Sequence, residues 1–182
     1  MRVYFVGAHS VGKTTLARQV SKKYNLPLIT EVARSILSKN ETSLNSLRTD
    51  INLVNEYQDA VFRRQIEEES KFEDNFVSDR CFDFLAYAGQ HTTILKEIIE
   101  SDEMKKYIKS LMKKDSFIFF VRPSKVTMKN DGVREDVNWD GIITIDAMIK
   151  FVLEMFKIRY YQINFDNMQE RLRLIEAVLS NG

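Results

Sequence analysis

The stretch Met1–Ala17, MRVYFVGAHSVGKTTLA, decides how the chain is read. Val3, Tyr4, Phe5 and Val6 form a β-branched and aromatic run, the pattern of a buried strand. Gly7 ends the run. Gly7-Ala-His-Ser-Val-Gly12-Lys13-Thr14 then matches the phosphate-loop pattern in full. Thr15 to Val20 reads as helix, so the motif stands between a strand and a helix, the context it requires. Gly7 and Gly12 let the backbone turn its N–H groups onto phosphate oxygens. The following helix adds the positive end of its dipole. A glycine turn with this spacing arises by chance in roughly one chain in a hundred at average glycine usage. The expected nucleotide-binding residues are Gly7, Ala8, His9, Ser10, Val11, Gly12, Lys13, Thr14 and Thr15. Lys13 reaches the β- and γ-phosphates, and the Thr14 hydroxyl ligates Mg²⁺. ATP or GTP is the expected ligand.

The composition sets the outer limits. The chain has 182 residues, the size of one α/β domain with a full core. Its 27 basic and 26 acidic residues leave a net charge of +1, which gives no global pull toward nucleic acid or membrane. Cys81 is the single cysteine, so no internal disulfide forms, and a reduced, cytoplasmic setting fits. No apolar run reaches membrane-span length. Met1 leads directly into the first strand, so no signal peptide is expected. Two prolines and six glycines argue against linkers, and no repeat is visible. The expectation is one domain over 1–182, monomeric or homodimeric.

Four further strands are expected, at Leu26–Thr30, Asn75–Arg80, Ser116–Val121 and Arg159–Phe165. Ligands of open α/β sheets bind beyond the carboxyl ends of the strands. Glu31 stands at such an end and is the candidate general base for a substrate hydroxyl, with Arg34 one helical turn on as a substrate residue. Alone, Glu31 reads as a helix-start carboxylate; beside a phosphate loop, the site reading is preferred. Asp79-Arg80 ends the third strand. The aspartate is placed to hold Mg²⁺, and the arginine to neutralise the phosphoryl group or substrate.

Helices are expected at Ile51–Lys71, Phe82–Gly89, Asp102–Lys114, Ile142–Ile158 and Gln169–Leu179. Gln58 on the first of these is a substrate candidate; Tyr57, Phe84 and Tyr87 are aromatic residues that read first as core. The helix at 102–114 carries Lys105, Lys106, Lys109, Lys113 and Lys114, a stripe that usually marks a solvated face. Residues 123–140 are polar, long for a plain connection, and turn at Asn130-Asp131-Gly132. They read as a flap that closes over ATP and brings Arg134 to the phosphates.

Glu31-Val-Ala-Arg34, Asp79-Arg80 and Asn130-Asp131-Gly132-Val-Arg134-Glu-Asp136, with the phosphate loop, resemble the small P-loop kinases of the ribosylnicotinamide kinase type. These are AAA-like ATPases of the NadR kind, neighbours of the deoxynucleoside and thymidylate kinases. The resemblance runs from Met1 to about Phe165. It implies a three-layer P-loop fold with a five-stranded parallel sheet, order 2-3-1-4-5, and helices on both faces. It implies ATP, Mg²⁺ and phosphoryl transfer to a hydroxyl of a nucleoside or nucleotide-like acceptor. Lys13, Thr14, Glu31, Arg34, Asp79, Arg80 and Arg134 match the family's positions. The chain departs from the family where an aromatic residue usually follows Glu31, and where two aspartates usually open the flap element. No adenylyltransferase segment is present, so a bifunctional enzyme is not expected.

Two other readings stand beside the small-molecule kinase. One moves the acceptor to a hydroxymethylated base in DNA, which the lysine stripe would serve. The other is an ATP-binding or ATPase switch with no acceptor, which would not need Glu31 and Arg34. A GTPase is disfavoured because Asp79 is followed by Arg-Cys-Phe and no Asn-Lys-x-Asp guanine reader occurs. An AAA+ motor would need a longer chain for its lid.

Overall fold

A computed structural model describes residues 1–30, 32, 36, 51–83, 85–86, 95–125 and 139–181. Its strands are β1 (Arg2–Val6), β2 (Leu28–Ile29), β3 (Phe76–Ser78), β4 (Ser116–Val121) and β5 (Tyr161–Ile163). Its helices are α1 (Lys13–Tyr24), α2 (Ile51–Ser70), α3 (Leu95–Glu100), α4 (Asp102–Leu111), α5 (Trp139–Met155) and α6 (Met168–Ser180).

The strands form one sheet in the order β2-β3-β1-β4-β5, every pairing parallel. This is the expected order. Every residue of β1 and of β4 is buried, so both faces of the sheet are covered, as a parallel sheet requires. Aromatic rings fill the core: Phe5 stacks on Phe119 at 5.5 Å, and Tyr4 meets Phe76 edge-on at 5.5 Å. Together these contacts make the centre of the sheet a rigid platform.

Helix ends follow local chemistry. α1 starts at Gly12, left-handed at φ 95°, and ends at Asn25, also left-handed, whose N–H returns to Ser21. Ser101 caps α4 by accepting the Met104 N–H, with Asp102 and Glu103 in the first turn. Asn167 caps α6 through the Gln169 N–H.

The differences from expectation lie mostly at element ends, where fraying is ordinary. α1 is longer than Thr15–Val20. β2, β3 and β5 are shorter than the runs expected for them: β2 pairs with β3 only over Leu28–Ile29, β3 with β1 only over Phe76–Ser78, and β5 with β4 only over Tyr161–Ile163. α3, at Leu95–Glu100, is a helix beyond those expected from the sequence. No helix among the described residues is long and apolar enough to cross a membrane.

The chain leaves β1 toward the β3 side of the sheet and leaves β3 toward the β4 side. The crevice between the carboxyl ends of these two neighbours is where such sheets receive ligands.

Candidate functional site

The loop after β1 and the turn after β3 meet in that crevice. The Thr14 hydroxyl donates to Asp79 Oδ2 at 2.6 Å, across 65 residues of sequence. A hydroxyl and a carboxylate side by side are two hard oxygen ligands, the donor set that suits Mg²⁺. No group of three His, Cys, Asp or Glu among the described residues is placed to hold a metal. A magnesium ion here would take its remaining ligands from phosphate and water.

Gly7 and Gly12 are glycines for different reasons. A Cβ on Gly7 would overlap the Val121 carbonyl oxygen, so the loop lies against the end of β4. Gly12 needs its left-handed φ to turn the loop into α1. Ser10, at φ 60°, takes the third positive φ of the loop. The N-terminus of α1 carries no acidic residue in its first turn and no side-chain cap. The positive end of its dipole thus faces no carboxylate of its own first turn and favours an anion.

Lys13 Nζ donates to the carbonyls of Gly7 and Ala8, both at 2.7 Å, and stands 3.7 Å from Asp83 Oδ2. Asp83 is 1% exposed. Its Oδ2 accepts the Gly7 N–H at 3.2 Å and its Oδ1 the Cys81 N–H at 3.0 Å. Burial pushes the Asp83 carboxyl up from its ordinary value, while Lys13 and Arg80 pull it back. One buried carboxylate thus ties the phosphate loop to the turn after β3.

Residues 2–171 match the family described as AAA domain. The chain belongs to the AAA domain family. No curated protein sequence matches it significantly. Its fold resembles that of deoxyadenosine kinase from M. mycoides, with 14% identity, all of both chains covered and a TM-score of 0.68. It resembles the NadR protein solved in complex with NR, at 18% identity and a TM-score of 0.69. That match covers 91% of this chain and 46% of NadR, so this AAA domain spans about half of NadR's length. Shikimate kinase from Aquifex aeolicus is similar too, at 14% identity and a TM-score of 0.58, covering 100% of this chain and 98% of that one.

In this AAA domain the structure brings together Lys13, Thr14, Asp79 and Arg80. Arg80 also acts on α2: its charge lowers the pKa of the Tyr57 phenol, against a larger upward push from burial. Gln58, one residue further, is 7% exposed, and none of the described hydrogen bonds joins it to the phosphate loop. Glu31, Arg34, Phe84, Tyr87 and Arg134 lie outside the described residues, as does 126–138 of the flap. Lys125 and Trp139, which flank that segment, meet with the Lys125 ammonium 5.2 Å from the Trp139 ring centre. Two members of the lysine stripe are drawn into ion pairs, Lys105 with Asp102 and Lys113 with Asp74.

Two supports of the AAA domain's phosphate loop escaped the sequence reading. Asp83 is one; its signal was a lone carboxylate in the apolar run Phe82–Gly89. The other is Arg171 on α6, 2% exposed. Its Nη1 donates to the Val11 carbonyl at 2.8 Å and its Nε to the Phe165 carbonyl. Burial pulls its pKa down, and Asp166 opposes this. A guanidinium taken out of water needs carbonyl partners, and here they are the phosphate loop and the turn before α6.

Proposed function

We propose that this AAA domain is an ATP- and Mg²⁺-dependent kinase that transfers the γ-phosphoryl of ATP to a hydroxyl of a nucleoside or nucleotide-like acceptor. The observation that carries the reading is the Thr14–Asp79 hydrogen bond at the mouth of a complete phosphate loop. It joins a magnesium-ligating hydroxyl to a carboxylate at the end of the neighbouring strand. The kinase names of the similar folds support the same chemistry.

On this reading the phosphate-loop N–H groups and Lys13 hold the phosphates. Thr14 and Asp79 would hold Mg²⁺, which would supply neutralisation of phosphate charge when bound. Glu31 accepts the proton of the acceptor hydroxyl. The acceptor oxygen bonds to the γ-phosphorus as the bond to the β–γ bridging oxygen breaks, and ADP leaves. Arg80 and Arg134 stabilise the three equatorial oxygens, and Arg34 and Gln58 hold the acceptor. Positioning and electrostatics suffice for this reaction. Water-free closure by the flap would prevent hydrolysis.

The test is transfer of γ-labelled ATP to nicotinamide riboside, deoxynucleosides, their monophosphates and hydroxymethyluracil-containing DNA. Label is expected on one small acceptor, and Glu31→Gln should lower turnover by about 10² or more while ATP still binds. Label on DNA would replace the acceptor class. Label released only as phosphate would overturn the kinase reading in favour of an ATPase switch.

A further inference from the structure

A buried polar chain runs from α2 to the turn that carries Asp79 and Arg80. Glu69 is partly exposed as a residue, but its carboxylate meets three buried side chains. Tyr4 donates to Oε2 at 2.9 Å; Tyr107 and Gln65 each donate to Oε1 at 2.7 Å. Tyr4 and Gln65 are 0% exposed and Tyr107 is 6% exposed. The Gln65 amide also donates to Ser78 Oγ at 3.1 Å. Ser78 Oγ donates to the Arg80 carbonyl at 2.7 Å and faces the Arg80 N–H at 3.3 Å. The Tyr107 hydroxyl stands 3.5 Å from Cys81 Sγ, one residue beyond. Both branches that leave Glu69 therefore end on the backbone stretch that bears Asp79 and Arg80.

We propose that Glu69 is a positioning residue of the phosphoryl-transfer site, acting through Gln65 and Ser78 to hold the turn that presents Asp79 and Arg80. This rests on the kinase reading above for what the turn presents, though not for how the turn is held. The polarity of the chain explains the action. An ionised Glu69 accepts from all three donors, which points the Gln65 NH₂ at Ser78 and leaves the Ser78 proton for the Arg80 carbonyl. The Gln65 Oε1 then accepts no hydrogen bond among the described residues, although it is buried. A protonated Glu69 supplies a donor for that oxygen. The amide then turns over and presents its oxygen toward Ser78, which competes with Arg80 for the Ser78 proton. The turn is held by one state and loosened by the other.

The proton that selects between the states is exchanged near neutrality. Burial pushes Glu69 up from 4.5 to about 7, against the pull of its three hydrogen bonds and of Arg2. The titratable groups facing it are Arg2 and Tyr4 from β1, Tyr107 from α4 and Cys81 after β3. Burial pushes Tyr4, Tyr107 and Cys81 well above their ordinary values, so they keep their protons where Glu69 titrates.

The experiment is calorimetric binding of ADP, with and without Mg²⁺, from pH 6 to 8.5, to the wild type and to Glu69→Gln. Wild-type affinity for Mg·ADP is expected to rise through an inflection near pH 7. The variant should show no inflection there and bind Mg·ADP about tenfold more weakly at pH 8, with metal-free ADP bound as in the wild type. Ser78→Ala, which breaks the relay downstream and leaves the Glu69 cluster whole, should reproduce both effects. If Glu69→Gln keeps the wild-type inflection, or weakens metal-free ADP to the same degree, the inference is overturned; the same holds for Ser78→Ala if the first variant does not fold. No acceptor is needed for this measurement. A wild type that binds Mg·ADP yet phosphorylates nothing would sink the kinase reading and leave this inference to be decided by the binding data.

Discussion

Replacing Asp83 by asparagine tests how the phosphate loop is held. Asp83 has two oxygens and two backbone donors, Gly7 and Cys81, at 3.2 and 3.0 Å. Asparagine keeps one acceptor and sets its NH₂ against the other donor. One charge-assisted hydrogen bond is lost, worth about 1.5–3 kcal/mol, and a buried N–H loses its partner at about 1–3 kcal/mol. Removing the charge gives part of this back, because burial alone disfavours the carboxylate. Lys13 works the other way: at 3.7 Å and an effective dielectric of about 20, its attraction to Asp83 is roughly 4 kcal/mol before the cost of desolvating both ions. The net expectation is a loss of about 2 kcal/mol, which for this length lowers the melting temperature by about 4–8 °C. Thermal and urea unfolding of Asp83→Asn, Lys13→Met and the double variant would measure it. The double variant should be less destabilised than the sum of the singles by about 1 kcal/mol, the share of the ion pair. If Asp83→Asn melts within 1 °C of the wild type, on the order of the scatter of a surface change, Asp83 does not tie the two loops together.

Two further outcomes follow from buried charges. Arg171→Met removes the donors to the Val11 and Phe165 carbonyls; ATP affinity measured by calorimetry should fall about tenfold, and Arg171→Lys should not restore it, since one ammonium lacks the fork that serves both carbonyls. Unchanged ATP affinity in Arg171→Met would mean that the loop keeps its shape without α6. For Glu69, the folded value near 7 lies above the ordinary 4.5. The folded chain therefore binds more protons than the unfolded chain between these values. Its contribution to stability is full below about pH 4.5 and is lost as pH rises through 7. Urea unfolding at pH 5, 6, 7 and 8 should show the wild type losing about 2–3 kcal/mol relative to Glu69→Gln across that window and nothing more above it. A flat difference would place the Glu69 pKa at its unfolded value.

The sheet was legible because each strand is a short apolar run and because the phosphate loop names its own context. Phe117–Val121 is buried at all five positions, as its unbroken apolar sequence requires, and Ser116 is buried at the head of the same strand. Lys13, Thr14 and Asp79 were legible for the same reason: a motif or a strand end places them, whatever the rest of the chain does. Asp83, Glu69 and Arg171 obey a different logic. Each is an ionisable side chain whose charged end is withdrawn from water, and burial of a charge is tolerated only with partners. Their partners lie far off in sequence: Gly7 is 76 residues from Asp83, Tyr4 is 65 from Glu69, and Val11 is 160 from Arg171. Periodicity shows which face of an element turns inward but not which element it meets. Asp83 is a lone carboxylate among Phe82, Phe84, Leu85 and Ala86, but only the strand order puts it beside Gly7. β1 carries both registers of information at once. Its apolar pattern announces the strand, while the hydroxyl of Tyr4, unremarkable in that pattern, reaches across to a carboxylate on α2. In this chain the phosphate-loop pattern is written locally, and the side chains that brace the loop and the turn after β3 are written in the topology.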